Sequence, residues 1–86
     1  MSVEVKMYST RFCPYCIRAR SLFNRKDVEF TDIAVDGAPE LRREMVELSG
    51  QFTVPQIWIG DKHIGGYDDI AMLERQGRLD QLLQSA

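Results

Sequence analysis

Residues 10 to 20 read Thr-Arg-Phe-Cys-Pro-Tyr-Cys-Ile-Arg-Ala-Arg and hold both cysteines of the chain, Cys13 and Cys16, two residues apart. Immediately before them, Val3, Val5 and Met7 alternate with Glu4 and Lys6 and lead to Tyr8, the period of two that marks a strand over Val3 to Tyr8. Immediately after, Cys16, Ala19 and Phe23 recur at i, i+3 and i+7. Ile17 and Leu22 join that stripe, and Arg18, Arg20 and Lys26 fall outside it, which predicts a helix from about Pro14 to Asn24 or Arg25. The CxxC therefore sits where a strand hands over to a helix.

Outward from that junction the alternation continues. Phe30 with the β-branched Val28, Thr31, Ile33 and Val35 predicts a second strand over Glu29 to Val35, closed by the turn pair Asp36-Gly37. Leu41, Met45 and Leu48 at i, i+4 and i+7 predict a second helix from Pro39 to Ser49, with proline in its first turn and Gly50 at its C-terminal cap. Gln56-Ile57-Trp58-Ile59, Gly60-Asp61 and Lys62-His63-Ile64 read as a hairpin that ends at Gly65-Gly66. Asp68 and Asp69 open one short helix, and a second holds Leu79, Leu82 and Leu83 beyond Gly77. The order β-α-β-α-β-β-α favours a right-handed parallel crossover followed by an antiparallel pair. The expected fold is α/β, a four-stranded mixed sheet flanked by helices, in one domain spanning residues 1–86.

Composition narrows the function. With 86 residues, 44% hydrophobic and 28% charged, the chain suits one core. A net charge of -2, a pI near 5.3 and scattered Lys and Arg leave no electrostatic footprint for nucleic acid or an anionic membrane. The start Met-Ser-Val-Glu-Val-Lys lacks the apolar core of a signal peptide, and no later run approaches a membrane span, so a cytoplasmic location is expected.

In a reducing compartment a CxxC is a redox couple or half of a metal site more readily than a permanent crosslink. A disulfide across so short a loop would constrain the unfolded chain by only about 2 kcal/mol. A zinc site needs four ligands, or three and a water, whereas the chain offers one CxxC and one histidine, His63, which as a lone hairpin residue reads as solvated or packing; no metal is expected. A redox couple remains, and its position sets the roles. Cys13, at or just before the first helical turn, meets unpaired N-H groups and the positive end of the helix dipole, which lower a thiol pKa. Cys16 shares the core face with Ala19 and Phe23, placed to attack Cys13 once that residue carries a mixed disulfide.

Two further segments carry chemistry. In Thr53-Val54-Pro55-Gln56 a proline heads an apolar strand; it marks either an ordinary strand start or a cis peptide, and Val54 has main-chain groups free to pair an extended peptide. Gly65-Gly66-Tyr67-Asp68-Asp69 is either a plain hairpin exit and helix cap or a turn whose N-H groups bind a carboxylate, with an Asp beside it for an ammonium.

Cys13-Pro14-Tyr15-Cys16, Thr53-Val54-Pro55-Gln56 and His63-Ile64-Gly65-Gly66-Tyr67-Asp68-Asp69, in this order across the whole chain, closely resemble a bacterial dithiol glutaredoxin. The resemblance implies a thioredoxin-like fold and glutathione-dependent thiol-disulfide exchange, with glutathione as reducing co-substrate. It implies a cis Pro55 facing the CxxC and Val54 pairing the cysteinyl unit of glutathione. Tyr15, Gln51 and Thr53 would border the groove, and Gly66, Tyr67, Asp68 and Asp69 would take the γ-glutamyl end. Family members commonly carry a lysine where Thr10 stands, contacting the glycyl carboxylate; Arg11, one residue later, is the candidate replacement. The implied mechanism has Cys13 attack a protein-glutathione mixed disulfide, and Cys16 resolve the intermediate formed with a protein disulfide. Couples of this kind lie at roughly -200 to -230 mV, near the cytosolic glutathione poise.

Disulfide-bonded or glutathionylated proteins are the expected partners, ribonucleotide reductase among the candidates, with the protein acting as a monomer. Two other classes fit parts of the pattern. An iron-sulfur carrier built from two chains and two glutathiones is disfavoured by Pro14, since cluster-binding relatives usually have a smaller residue there. A binding module without turnover is disfavoured by two intact cysteines at a helix start.

Overall fold

The computed structural model describes residues 3–84. Strand β1 (Val5–Ser9) leads through the CxxC to helix α1 (Pro14–Arg25), then β2 (Thr31–Ala34), α2 (Pro39–Ser49), β3 (Gln56–Ile59), β4 (Lys62–Gly65), α3 (Tyr67–Arg75) and α4 (Leu79–Gln84). The sheet runs β2-β1-β3-β4, with β1 parallel to β2 and antiparallel to β3, and β3 antiparallel to β4. This is the mixed four-stranded sheet that the alternation predicts.

The two faces are covered unequally. Against one, Val5, Met7, Ile57 and Ile59 pack with Ala19, Leu22 and Phe23 of α1, Ile70 of α3, and Leu79 and Leu83 of α4. Against the other, Tyr8, Val35 and Trp58 meet Met45 of α2. Every residue of β3 is buried, as a strand covered on both faces requires. The polar Gln56 is buried with the rest, at 1% exposure.

The differences from the predicted boundaries are physical. Val3 lies outside the β1 ladder and instead donates its N-H to the Leu83 carbonyl at 3.4 Å. β2 is shorter than Glu29 to Val35 because it is an edge strand paired to β1 alone. Ile17 is exposed, whereas Arg20 is half-buried. At about 100° per residue, a position four after Cys16 lies closer to the buried stripe than the position directly after it. Leu48 is also exposed, since α2 buries only Met45 fully. Gly50 caps α2 in the left-handed region at φ 71°, and its N-H bonds the Val46 carbonyl, as predicted from its place in the sequence.

Candidate active site

Cys13 is the N-cap of α1, with extended backbone at φ -74° and ψ 123°, and Pro14 opens the first turn. Cys13 is partly exposed and Cys16, one turn on, is fully buried. The helix phase read from the stripe thus sets one sulfur at the surface and the other beneath it.

Their acidities diverge for identifiable reasons. Burial pushes the Cys13 thiol up, but the Cys16 N-H, the Cys16 thiol, the Tyr15 N-H and the Arg20 charge outweigh it, and the net shift is downward. Cys16 is pushed up to about 11, chiefly by burial; an N-H contact from Thr10 opposes this, and the adjacent Cys13 thiolate adds to it. A pair of thiols with opposed shifts divides into one member that ionises more readily than a free thiol and one that holds its proton more tightly.

Three distant segments meet around Cys13. Its Sγ lies 3.8 Å from the Val54 carbonyl oxygen, and the Val54-Pro55 peptide is cis, as the resemblance implies. The Tyr15 and Tyr67 rings approach to 6.5 Å between centroids, which joins the CxxC to the start of α3. A Cβ on Gly66 would lie 3.4 Å from the Pro55 carbonyl, so the Gly-Gly turn and the proline segment are also close-packed. Val54 belongs to none of the four strands, and its N-H has no main-chain partner among the described residues.

At the α3 end, Asp69 Oδ2 accepts the Gly66 N-H at 2.9 Å, the reach-back of a capping box. The N-H groups of Tyr67, Asp68 and Asp69 occupy the first turn, where a helix supplies no acceptor of its own. Gly65, at φ 123°, lies where any Cβ would collide with the Asp69 carboxylate. Gln51 and Thr53 are exposed in the segment leading to Pro55. Arg11 reaches the other way, its Nε 3.2 Å from Asp36 Oδ2, and holds the Asp36 carboxyl below the usual carboxylate range.

The sequence reading left out a polar cluster behind the cysteines. Arg20 donates from Nε to Asp32 Oδ2 at 2.6 Å, and from Nη2 to Ser9 Oγ and to the Thr10 carbonyl, each at 3.0 Å. Ser9 Oγ in turn donates to Asp32 Oδ1. Arg20 thereby ties α1 to the end of β1 and to β2. Its position, four residues after Cys16 and seven after Cys13, was the available signal. Among the described residues, no group of three or more His, Cys, Asp or Glu side chains is arranged to hold a metal ion. Nor is any described helix long and apolar enough to cross a membrane.

Comparison with known proteins agrees with this geometry. Residues 5–64 match the glutaredoxin family model. The chain belongs to the glutaredoxin family. It is 57% identical to the glutaredoxin of Pseudomonas aeruginosa over 94% of its own length and 96% of the relative's. It superposes on the Brucella melitensis glutaredoxin with a TM-score of 0.85 at 51% identity, covering 96% of this chain and 90% of the other. A buckwheat glutaredoxin-glutathione complex gives a TM-score of 0.87 at 31% identity, over 94% of this chain and 76% of the other. Glutaredoxins are thiol-disulfide oxidoreductases of thioredoxin-like fold, and this chain is one of them.

Proposed function

We propose that this glutaredoxin reduces protein-glutathione mixed disulfides with Cys13 as nucleophile, and protein disulfides with Cys13 and Cys16 together, acting in the cytoplasm as a single domain over residues 1–86. The observation that carries the reading is the Val54 main chain beside Cys13, its carbonyl oxygen 3.8 Å from the sulfur and its N-H without a main-chain partner among the described residues. An extended peptide pairing with Val54 has its own cysteine sulfur directed at Cys13. Glutathione is such a peptide, and the first turn of α3 suits the carboxylate of its γ-glutamyl end. The buckwheat complex supports the same ligand class. Tyr15, Gln51, Thr53, Pro55, Gly66, Tyr67, Asp68 and Asp69 border that path. Arg11, paired with Asp36, would have to leave that carboxylate to reach the glycyl end.

In the first step the Cys13 thiolate attacks the glutathionyl sulfur. The substrate S-S bond breaks, and the protein sulfur leaves with the electron pair and takes up a proton. The thiolate of a second glutathione then attacks the glutathionyl sulfur on Cys13, forming glutathione disulfide and returning the Cys13 thiolate. With a protein disulfide, Cys13 forms the mixed disulfide, Cys16 attacks the Cys13 sulfur and displaces the protein thiol, and glutathione reduces the Cys13-Cys16 disulfide that results. Cys16 is timed by its partner. Two of the influences that hold its proton, the hydrogen bond and the charge of Cys13, disappear once Cys13 is covalently engaged.

A coupled assay following NADPH oxidation through glutathione reductase, with a small glutathione mixed disulfide as substrate, tests the reading. Cys13→Ser should be inactive on all substrates. Cys16→Ser should retain mixed-disulfide reduction and lose most protein-disulfide reduction. Equal loss in both variants on the mixed disulfide would overturn the assignment.

A further inference from the structure

Gln56 is a buried amide whose two ends are both engaged. Its Nε2 donates to the Thr53 carbonyl at 3.0 Å and to Thr53 Oγ1 at 3.2 Å, and its Oε1 lies 2.7 Å from His63 Nε2. A carbonyl oxygen can only accept, so the Thr53 contact fixes which end of the amide faces the loop. The amide oxygen must then face His63. An oxygen cannot donate, so Nε2 of His63 must carry a hydrogen.

The ring is held in place to do this. His63 is the cross-strand partner of Trp58, and their rings lie 4.7 Å apart between centroids, tilted by 38°. The hydrogen bonds run from β4 through the first residue of β3 to Thr53, and Thr53 directly precedes the Val54-Pro55 peptide that faces Cys13. Thr53 is itself exposed and lies outside the strands, so its bonds to the buried Gln56 amide anchor it to the sheet.

We propose that His63 is a positioning residue for the exchange reaction: by donating from Nε2 it orients the Gln56 amide, which holds Thr53 and therefore presents the Val54 main chain to the incoming peptide. The consequence for glutathione rests on the function proposed above, whereas the hydrogen-bond arrangement does not. Losing the donor leaves the Gln56 oxygen buried without a partner, which favours reorientation of the amide and release of Thr53. Binding geometry at Val54 is then loosened while the helix-start environment of Cys13 is unchanged. The effect belongs in KM.

The test separates the two layers. The chain has one histidine and one tryptophan, so both signals are unambiguous. In the unsubstituted protein, at a pH where the ring is neutral, 15N NMR should show the Nε2-H tautomer; an Nδ1-H tautomer overturns the proposal whatever the substrate. His63→Leu removes the donor, and His63→Gln places an amide N-H near the position of Nε2. With a glutathione mixed disulfide, His63→Leu should raise KM roughly 2- to 10-fold, the weight of one hydrogen bond, with kcat and the Cys13 pKa unchanged. Exchange of the Gln56 side-chain amide hydrogens, which are bonded to Thr53, should accelerate in the same variant without any ligand. His63→Gln should restore both values, with Trp58 fluorescence reporting that the hairpin is intact. The proposal fails if His63→Leu leaves KM and Gln56 side-chain exchange as in the parent, or if His63→Gln loses as much as His63→Leu, which would assign the ring to packing alone. Faster Gln56 side-chain exchange with unchanged KM would keep the hydrogen-bond chain and place the fault in the glutathione reading. Should His63→Leu not fold, the tautomer and the His63→Gln variant decide.

Discussion

Asp69 shows how one side chain can carry two jobs that a motif match merges. Its Oδ2 closes the N-terminus of α3 on the Gly66 N-H, a structural bond present without ligand. In the proposed function the same carboxylate faces the ammonium of the γ-glutamyl group. The two contributions separate by substitution. Asp69→Asn keeps an acceptor for Gly66 and loses the charge, so KM should rise while the melting temperature stays close to the parent's. Asp69→Ala loses both, and removing a capping contact of about 1 kcal/mol should lower Tm by roughly 4–8 °C in a domain of this size. Thermal melts beside mixed-disulfide kinetics read the two effects independently. Unchanged KM in both variants would remove Asp69 from the ligand site and leave it as a cap.

At the scale of elements, the β1-α1 junction does most to set Cys13's chemistry. Burial opposes the Cys13 thiolate, and the N-H groups at the start of α1, the Cys16 thiol and the Arg20 charge together overcome it. The helix start is common to any chain with this turn. Arg20 is a separate contribution, delivered from the next turns of the same helix and locked by Asp32, Ser9 and Thr10. Arg20→Met should therefore move the pH midpoint of Cys13 alkylation upward, toward the ordinary thiol range, and Arg20→Lys should move it less. Below the midpoint the alkylation rate falls about tenfold per pH unit, so the loss in Arg20→Met is largest on the acid side and vanishes on the alkaline plateau. Coincident iodoacetamide profiles for parent and Arg20→Met would assign the lowered pKa to the helix N-terminus and the Cys16 thiol, without Arg20.

Over the whole molecule, the α2-covered face of the sheet carries a buried phenol. Tyr8 donates its hydroxyl to Glu44 Oε2 at 2.7 Å and sets its ring edge-on to Trp58 at 5.4 Å. Burial, and then Glu44, push its pKa up from 10.0 to about 12. The folded protein thus holds a proton that the unfolded chain releases between those values. Stability from this source is complete below about pH 10 and is lost as pH rises toward 12, with a limiting slope of about 1.4 kcal/mol per pH unit. Cys16 acts with the same sign, its folded value being raised from 9.0 to about 11. Urea unfolding between pH 9 and 11, above the free thiol value where the opposite-sign contribution of Cys13 levels off, should show stability declining with pH, less steeply in Cys16→Ser and, toward the alkaline end, in Tyr8→Phe. Identical slopes in all three proteins would refute the burial argument for both groups.

Hydrophobic periodicity, β-branched composition and turn and cap residues together located the strands and helices, the surface-and-core arrangement of the two cysteines, and the Gly50 cap, because each depends on side chains within a few residues of one another. The roles of Pro14 and of the helix start at Cys13 are local in the same sense. The cis state of Val54-Pro55 was open on physical grounds and implied only by resemblance. The cluster of Arg20 with Ser9 and Asp32, the pairing of Arg11 with Asp36, and the chain from His63 to Thr53 were not legible. Each is a polar contact whose partners are brought together by the strand order β2-β1-β3-β4. Hydrophobic spacing reports which face of an element is buried; it is silent on which neighbour lies across that face. A hydrogen bond needs its partner within about 3 Å and correctly aimed, so these contacts were decided only when the sheet set the elements side by side.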